Sequence, residues 1–383
     1  MGKERNMIVL KKNTIHNLVL WAFCLFAFAT VVFNSSGYNK ICNLLYIPFA
    51  LGAVINIVKR EKIVIGEEDS WFVIFGIARI ISAALFGKEI SLFETCYSSI
   101  SLCTILIFMN QTFVREDIKS ISNAVIVGAL VLGLWSFIVR SDVAGARLGS
   151  ETANSINLGI ALAFGSIFLI YRVMQDGLKR DFILYIFSII MIFLTKCRSA
   201  LLLSGAVTVF LYFFGGNRKK GRRKISKRKI GVIIFLVLLL GIGIFSGFFK
   251  TYLYRFTVIF SELNGNRMAS NSVAVRMRFK ELGWSMICLK PGIGYGVGSA
   301  KVLLDGGYFH DNYVELAYEM GIVGLILFYI PYIMCLVKSI KVKDMLSIAI
   351  LIFIIGMGCF DVFIHNKLFY IMFGSCIIER KRN

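Results

Sequence analysis

Residues 276–324 read RMRFKELGWSMICLKPGIGYGVGSAKVLLDGGYFHDNYVELAYEMGIVG, and this stretch lies between long apolar blocks of the chain. It opens with three cations, Arg276, Arg278 and Lys280, continues through a glycine-rich turn and contains a lone histidine, His310. The chain around it has 383 residues, of which 57% are hydrophobic and 17% are charged. A membrane protein has little reason to keep so polar a segment unless chemistry happens there.

The apolar blocks predict an all-α, polytopic integral membrane protein, because each is long enough to cross a bilayer core of roughly 30 Å. We predict about twelve spans, at 17–33, 41–58, 71–87, 92–109, 119–139, 155–171, 181–195, 199–214, 230–249, 313–337, 345–360 and 364–379. The chain then divides into an N-terminal bundle of about nine spans (1–249), a long extracytoplasmic segment before the tenth span (250–312) and a C-terminal group of three spans (313–383).

The distribution of positive charge predicts the orientation. The termini and the loops on their side carry 27 of the 43 Lys and Arg residues, and the other side carries 15. By the positive-inside rule, both termini are cytoplasmic and 250–312 is outside. The basic run GNRKKGRRKISKRK in the 215–229 loop is then an orientation determinant that touches anionic lipid. The net charge of +21 needs no nucleic acid partner.

The polar segment predicts two helices with a glycine loop between them. SNSVAVRMRFKELGWSMICLK reads as a helix that Ser270 or Asn271 caps and Pro291 ends. The following PGIGYGVG does not have the spacing of a dinucleotide-binding loop, so it favours close backbone approach to a ligand or a tight re-entry into the membrane. Asp311 or Asn312 then caps the next helix, which carries Glu315 and Tyr318 on the face of Asp311.

His310 is the best-placed general base in the sequence. It stands at the outer mouth of a predicted span, whereas His16 lies in the cytoplasmic tail and His365 near the outer end of the last span. Imidazole titrates near neutrality, which suits proton transfer. The alternative is an interfacial histidine that merely lies beside a helix end.

Five arginines are candidates for binding an anionic substrate. Arg198 follows a very short outer turn at the membrane edge, where a cation marks a functional site unless it snorkels to the headgroups. Arg276 and Arg278 either form a solvated helix face or bind phosphate oxygens bidentately. Arg79 is inside a span and must find a partner, as support for the fold or as a ligand contact, and Arg147 is a weaker candidate in an outer loop.

The sequence supports neither a metal site nor a cofactor site. No Asp-x-Asp motif is present, the first outer loop has no acidic residue, and the nine cysteines include no Cys-x-x-Cys. If the anionic substrate is a diphosphate, its charge would then be stabilised by arginine and not by a metal ion.

The chain resembles the O-antigen ligase and polysaccharide polymerase family of bacterial envelope enzymes. Three motifs carry the resemblance: Arg276 followed after fifteen residues by Pro-Gly-x-Gly at Pro291, His310-Asp-Asn-Tyr followed by Gly321-x-x-Gly324, and the Arg198-Ser-Ala turn between spans. The motifs cover about a third of the chain. One departure is Asp311, where many members of the family carry Asn; this adjacent carboxylate is expected to raise the basicity of His310.

The resemblance implies a metal-independent glycosyltransferase of the GT-C type in the cytoplasmic membrane, with an extracytoplasmic active site. His310, Arg198 and Arg276 would be its catalytic residues. Donor and acceptor would be polyprenyl-diphosphate-linked oligosaccharides, and further partners would be membrane lipid, a flippase and a chain-length regulator. The residues assigned to substrate binding are Arg278, Arg147, Arg79, Asp311, Asn312, Tyr313 and Tyr295.

We interpret the protein as an inverting polymerase that joins lipid-linked repeat units into a surface polysaccharide such as a capsule or an O-antigen. A ligase that moves the glycan onto a lipid core, a protein or the cell wall is the alternative within the family. The composition of the chain suits an AT-rich genome, and it favours the polymerase because many organisms with such genomes lack a lipid A core. A transporter or flippase for an anionic lipid or solute is the alternative from another class, and a scaffold for other envelope enzymes is a third.

Overall fold

The structure is a computed structural model that describes residues 2–33, 39–60, 65–87, 92–140, 148, 154–215 and 272–380. Over these ranges the chain forms helices and no strand. It is an all-α, multi-pass membrane protein, and seven of its helices are long and apolar enough to cross a membrane. The predicted count of twelve spans is therefore not confirmed.

Thirteen α-helices are described, with a single 3-10 turn at Arg115–Asp117 before the fifth. Their bounds are α1 Gly2–Val32, α2 Asn39–Arg60, α3 Glu67–Phe86, α4 Leu92–Thr112, α5 Ile118–Arg140, α6 Ser155–Gln175, α7 Lys179–Leu194, α8 Arg198–Phe214, α9 Ser272–Leu289, α10 Ser299–Leu303, α11 Asn312–Val342, α12 Met345–Met357 and α13 Lys367–Arg380.

Eleven of the twelve predicted spans coincide with helices in this set. The remaining predicted span, 230–249, lies outside the described residues, as do the basic loop and the first part of the segment 250–312. The helix predicted in the polar segment is α9, and its proposed caps Ser270 and Asn271 lie just beyond the described residues. Asp311 caps α11 with its side chain, as one of the two predicted alternatives required.

The core runs the length of the bundle around α6, which packs against α5, α7, α8 and α12. Fourteen of the 21 residues of α6 are buried, so this helix is apolar on almost every face. Aromatic rings fill the part of the core between α3 and α11, where Phe72 of α3 lies edge-on to Phe328 and Tyr332 of α11. These contacts fix α3 against α11, the two helices that position the site.

Ion pairs mark one end of the bundle, which we call the Glu68 end. Glu68 accepts a salt bridge from Arg380 at 2.6 Å and another from Lys338 at 3.0 Å. Nearby, Glu379 pairs with Arg115 at 2.7 Å. The start of α3 and the ends of α11 and α13 therefore meet at this end.

The opposite end, which we call the His310 end, gathers the start of α11 and the end of α12. The amide of Asn312 donates a 2.7 Å hydrogen bond to the carbonyl oxygen of Gly358. The end of α3 is here too, because a Cβ added at Gly296 would lie only 2.5 Å from the carbonyl oxygen of Phe86. The polar segment 276–312 thus folds over one end of the bundle.

The helix α11 is broken at Gly321, and the glycine loop packs into the break. Gly321 has φ 68° and ψ −174°, which an L side chain rarely adopts. The amides of Tyr295 and Gly296 donate to the carbonyl oxygens of Tyr318 and Glu319 at 2.9 and 2.8 Å, and the amide of Ile322 donates to Pro291 at 2.8 Å. The glycines of PGIGYGVG therefore serve close approach of one backbone to another.

Candidate functional site

His310 occupies a strained turn at the start of α11. Its φ is 55°, a left-handed conformation that costs a non-glycine residue about 1–3 kcal/mol. Its ring is half-buried and lies 4.0 Å from the ring of Tyr308, centroid to centroid. Among the described residues, the buried Nδ1 atom has no hydrogen-bond partner. The ring is thus held by packing, and the described part of the chain leaves one of its nitrogens without a partner.

Burial and the neighbouring cations Arg276 and Lys280 lower the pKa of His310 from 6.5 to about 4. The imidazole is consequently neutral at pH 7 and has a lone pair available to accept a proton. The expectation that Asp311 raises the basicity of His310 is wrong. Both oxygens of the Asp311 carboxylate are engaged elsewhere: Oδ1 accepts the amides of Tyr313 and Val314 at 3.0 and 3.2 Å, and Oδ2 pairs with Lys280 at 2.7 Å.

Arg276 brings positive charge to the His310 turn from α9. It acts electrostatically on His310, on Tyr308 and on Asp361, so these four side chains share one neighbourhood. Among the described residues the Arg276 guanidinium makes no hydrogen bond. A guanidinium presents five N–H donors in a planar fork, which suits an anionic ligand.

Asp361 adds a carboxylate to this neighbourhood that the sequence analysis missed. It follows α12 and is 9% exposed. Burial raises the pKa of Asp361 from 3.8 to about 6, although the Val362 amide and Arg276 oppose this shift. The signal in the sequence was a single acid in an otherwise apolar run, FDVFIH, which is also what a loop at the membrane surface looks like.

A second carboxylate, that of Glu315 in α11, holds the backbone of the His310 turn. Glu315 is 7% exposed, and its Oε2 atom accepts the amide of Phe309 at 3.0 Å. The Phe309 ring is fully buried and lies edge-on to Tyr318, with centroids 5.2 Å apart. Phe309 is therefore anchored by both its backbone and its side chain, which fixes the residue that follows it.

Arg198 is the first residue of α8 and lies at the same end of the bundle. A Cβ added at Gly356 would lie 2.7 Å from Leu203 Cδ2, so the start of α8 is level with the end of α12. The turn before it includes Lys196 with φ 54°, and Cys197 donates its amide to Thr195 Oγ1 at 3.1 Å. The helix α12 packs against both α8 and α11, so it links the helix of Arg198 to the helix that follows the His310 turn.

The two remaining outer arginines of the prediction are Arg278 and Arg147. Arg278 is half-buried on α9, and being two residues after Arg276 it points to a different side of the helix. Arg147 lies outside the described residues.

Asn312, Tyr313 and Tyr295 use their polar groups inside the protein. Asn312 is fully buried; its Nδ2 donates to the Tyr329 hydroxyl at 2.9 Å, and its Oδ1 accepts the Phe363 amide at 3.1 Å. The Tyr313 hydroxyl donates to the Ile355 carbonyl at 2.8 Å, and that of Tyr295 donates to Met286 at 3.0 Å. These side chains hold the segments around His310 in place.

Arg79 belongs to a separate buried cluster. It is 3% exposed and donates to Ser98 and Ser99 at 3.3 and 3.4 Å. Its Nη2 atom also lies 3.2 Å from His365 Nδ1. The partner that the sequence required for Arg79 is thus a set of neutral groups together with the charge of Glu319 on α11.

Within the described part of the chain, no three His, Cys, Asp or Glu side chains come together as metal ligands would. What the chain does assemble at the His310 end is a neutral imidazole, two cations beside it and a buried carboxylate. This arrangement suits an anionic ligand and the transfer of a proton.

Comparison with known families agrees with the motifs of the sequence. Residues 183–329 match the family model described as O-antigen ligase, and this match supports an O-antigen ligase or polymerase family. The matched range contains Arg198, Arg276 and His310 and excludes Arg79 and Arg147. No curated protein matches the chain.

Proposed function

We propose that this protein, with its O-antigen ligase region at 183–329, is a glycosyltransferase that polymerises lipid-linked oligosaccharide repeats. Donor and acceptor are both glycans on a polyprenyl diphosphate. The reaction takes place at the His310 end, which the distribution of charge in the sequence assigns to the outer face of the cytoplasmic membrane. Both termini are cytoplasmic in this proposal.

His310 is the general base of the proposed reaction. The acceptor hydroxyl attacks the anomeric carbon of the donor, a new glycosidic bond forms, and the hydroxyl proton passes to His310. The bond between the anomeric carbon and the diphosphate oxygen breaks in the same step. Attack from the opposite side inverts the anomeric configuration.

Arg276 and Arg198 stabilise the departing polyprenyl diphosphate. The guanidinium of Arg276 lies beside His310 and makes no hydrogen bond to the described residues, and Arg198 approaches from α8 at the same end of the bundle. Negative charge grows on the leaving oxygen as the bond breaks, so fixed positive charge lowers the barrier. Arg278 and Arg147 are proposed as further contacts of the glycan or the diphosphate.

Asp311, Asn312, Tyr313 and Tyr295 act as positioning residues in this scheme. Asp311 holds Lys280 and the start of α11, while Asn312 ties α11 to the turns after α12. Arg79 supports the fold beneath the glycine loop, through its contacts with α4 and His365.

The observation that carries the proposal is a neutral His310 ring whose Nδ1 atom has no partner among the described residues, next to Arg276, whose guanidinium makes no hydrogen bond to those residues. A structural histidine would satisfy both ring nitrogens, and a structural arginine would be paired with a carboxylate at hydrogen-bonding distance. The family match adds the class of reaction.

Reconstitution with purified lipid-linked repeats tests the proposal and separates it from its alternatives. A polymerase forms a ladder of lipid-linked glycans from the repeats alone. A ligase forms product only after a lipid core, a protein or cell-wall acceptor is added. A flippase moves the repeat across the bilayer and makes no glycosidic bond, and a scaffold is indifferent to His310→Ala.

A further inference from the structure

A cavity lined by several polar side chains lies beside the candidate site. Its volume is about 180 Å³, and it is enclosed by α1, α2, α4 and the start of α13. The turn that joins α12 to α13 takes part in both places: Asp361 acts on Arg276, and His365 lines the cavity. Nothing in the proposed reaction uses this cavity.

Polar side chains of two helices line the cavity. Ser98, Ser101 and Tyr97 of α4 line it opposite Asn43 of α2. About one turn deeper, the Tyr46 hydroxyl donates to Thr104 Oγ1 at 2.5 Å and joins α2 to α4. This contact closes the space between α2 and α4 on the inner side of the cavity.

The charge around the cavity is positive. Lys367 lines it and donates a hydrogen bond to Asn43 Oδ1, and none of its lining residues in the described part of the chain is acidic. Arg79 stands directly behind the wall, since it donates to Ser98 and lies 3.2 Å from His365. Because a guanidinium only donates, the His365 nitrogen beside it is an acceptor, and the ring is neutral. Among the described residues, neither cation has an acid within hydrogen-bonding distance, and Glu319 of α11 acts on Arg79 only through its charge.

The outer rim of the cavity faces the apolar surface of the bundle. Tyr97, which lines the cavity, is 47% exposed, and Leu44 of α2 and Phe93 of α4 are 67% and 78% exposed. Exposed apolar side chains on a spanning helix contact lipid chains. A ligand that reaches the cavity along this surface has an apolar part outside and an anionic part inside.

We propose that the cavity binds the phosphate headgroup of a lipid whose chains lie against α2 and α4. Lys367 and the hydroxyl of Ser101 donate to the phosphate oxygens, and Arg79 adds its charge from behind. The volume is close to the roughly 150 Å³ of a cavity that accommodates benzene, so it holds a headgroup phosphate but not a glycan chain. This inference is independent of the proposed transfer reaction.

Photo-crosslinking locates such a lipid directly. The probes carry a diazirine on the first carbons of the chain, and they are an anionic phospholipid, a polyprenyl monophosphate and a diacylglycerol without phosphate. They are added to the protein in a neutral bilayer, and labelled peptides are mapped by mass spectrometry. The measurement uses His310→Ala as well as wild type, so that binding is read without transfer.

We expect a phosphate lipid to label the peptides of α2 and α4 around Leu44 and Tyr97, and the better of the two phosphate probes identifies the source. Lys367→Gln keeps the hydrogen bond to Asn43 but removes the charge, and it should lower this labelling by at least about fivefold. Ser101→Leu, which fills the cavity, should have a similar effect. Lys341→Gln, on an exposed lysine near the Glu68 end, is the matched control and should change nothing.

Three results would overturn the inference. The diacylglycerol could label these peptides as strongly as the phosphate lipids, or the labelling could survive both Lys367→Gln and Ser101→Leu. Inorganic phosphate at equal concentration could also compete as well as a phosphate lipid, which would mean that the chains contribute nothing. Labelling on α9 reports the His310 site separately, so failure here leaves the proposed reaction to its own test.

Discussion

Lys280 Nζ lies 2.7 Å from Asp311 Oδ2, and it also donates to the carbonyl oxygen of Cys359 at 2.9 Å. One side chain thereby joins α9, the His310 turn and the turn after α12. Arg276 is one helical turn before Lys280, so the same link sets the position of Arg276 relative to His310.

Lys280→Met should lower the rate of transfer more than it lowers stability. The Lys280 side chain is about one-third exposed, so loss of the salt bridge should cost no more than about 1 kcal/mol. A shift of Arg276 by about 1 Å should cost on the order of 10²-fold in rate. Rates from reconstituted protein and the midpoint of thermal unfolding measure the two effects. Glu281→Gln, on the exposed neighbour, is the control, and wild-type rates in Lys280→Met would contradict the link.

Glu315 should act through the backbone of the His310 turn. Glu315→Ala removes the acceptor of the Phe309 amide and leaves that buried N–H unsatisfied, at a cost of about 1–3 kcal/mol. Glu315→Gln keeps an oxygen in the same place. We expect Ala to lower the rate at least about tenfold by releasing the turn, with Gln close to wild type. Equal losses in the two variants would show that the charge of Glu315 matters and not its acceptor.

The acidic limb of the pH profile should identify the base. The pKa of His310 is lowered to about 4 by burial and by Arg276 and Lys280, so the neutral base persists as pH falls from 7 and is lost only near pH 4. The rate constant kcat/KM should therefore stay level down to about pH 5. If Asp361 were the base instead, the acidic limb would lie near pH 6, because burial raises the pKa of Asp361 to about 6.

Arg276→Gln checks the sign of this effect. Removing the Arg276 charge removes a cause of the lowered pKa of His310, so that pKa should rise. As the pH is lowered, the residual activity of the variant should therefore begin to fall at a higher pH than the activity of wild type. Asp361→Asn is the companion variant: it should leave the wild-type limb in place. A limb near pH 6 that disappears in Asp361→Asn would assign the base to Asp361.

The glycine loop should tolerate alanine at one position and not at another. Gly296 has φ 101°, and a Cβ there would lie 2.5 Å from the Phe86 carbonyl oxygen, whereas a Cβ at Gly292 meets nothing within 4 Å. Gly296→Ala should therefore lower the free energy of unfolding by about 1–3 kcal/mol, and Gly292→Ala should not. Midpoints of thermal unfolding in one detergent compare the two. Equal midpoints would contradict the packing of the loop against α3.

Much of the bundle could be predicted because its signals are local. Apolar runs gave eleven of the helices, and Asp311 before a polar helix start was a recognisable cap. The break at Gly321 was missed because a glycine within an apolar run reads as helix. Only the loop that returns from Pro291 makes the break favourable, and that pairing is not local.

The site was predicted less completely, for a physical reason. His310 and Arg276 stood out as single charged or titratable residues in a polar segment. Asp361 did not stand out, and Lys280 was noted only as one of three cations and was given no role, since the importance of both depends on which helix ends meet. Asn312 and Tyr313 were expected to bind substrate, yet their polar groups are spent on Tyr329, Phe363 and Ile355, partners that only the fold brings near.

Product formation by a His310 variant tests the central claim most directly. Purified protein in a bilayer is supplied with lipid-linked repeats, and glycan length is resolved for wild type, His310→Gln and His16→Gln, the last of which changes a histidine bonded to Asp117 far from the candidate site. We predict ladders from wild type and His16→Gln, and a loss of on the order of 10²-fold or more in His310→Gln, which folds but cannot accept the hydroxyl proton. A full ladder from His310→Gln would contradict the claim that His310 is the base.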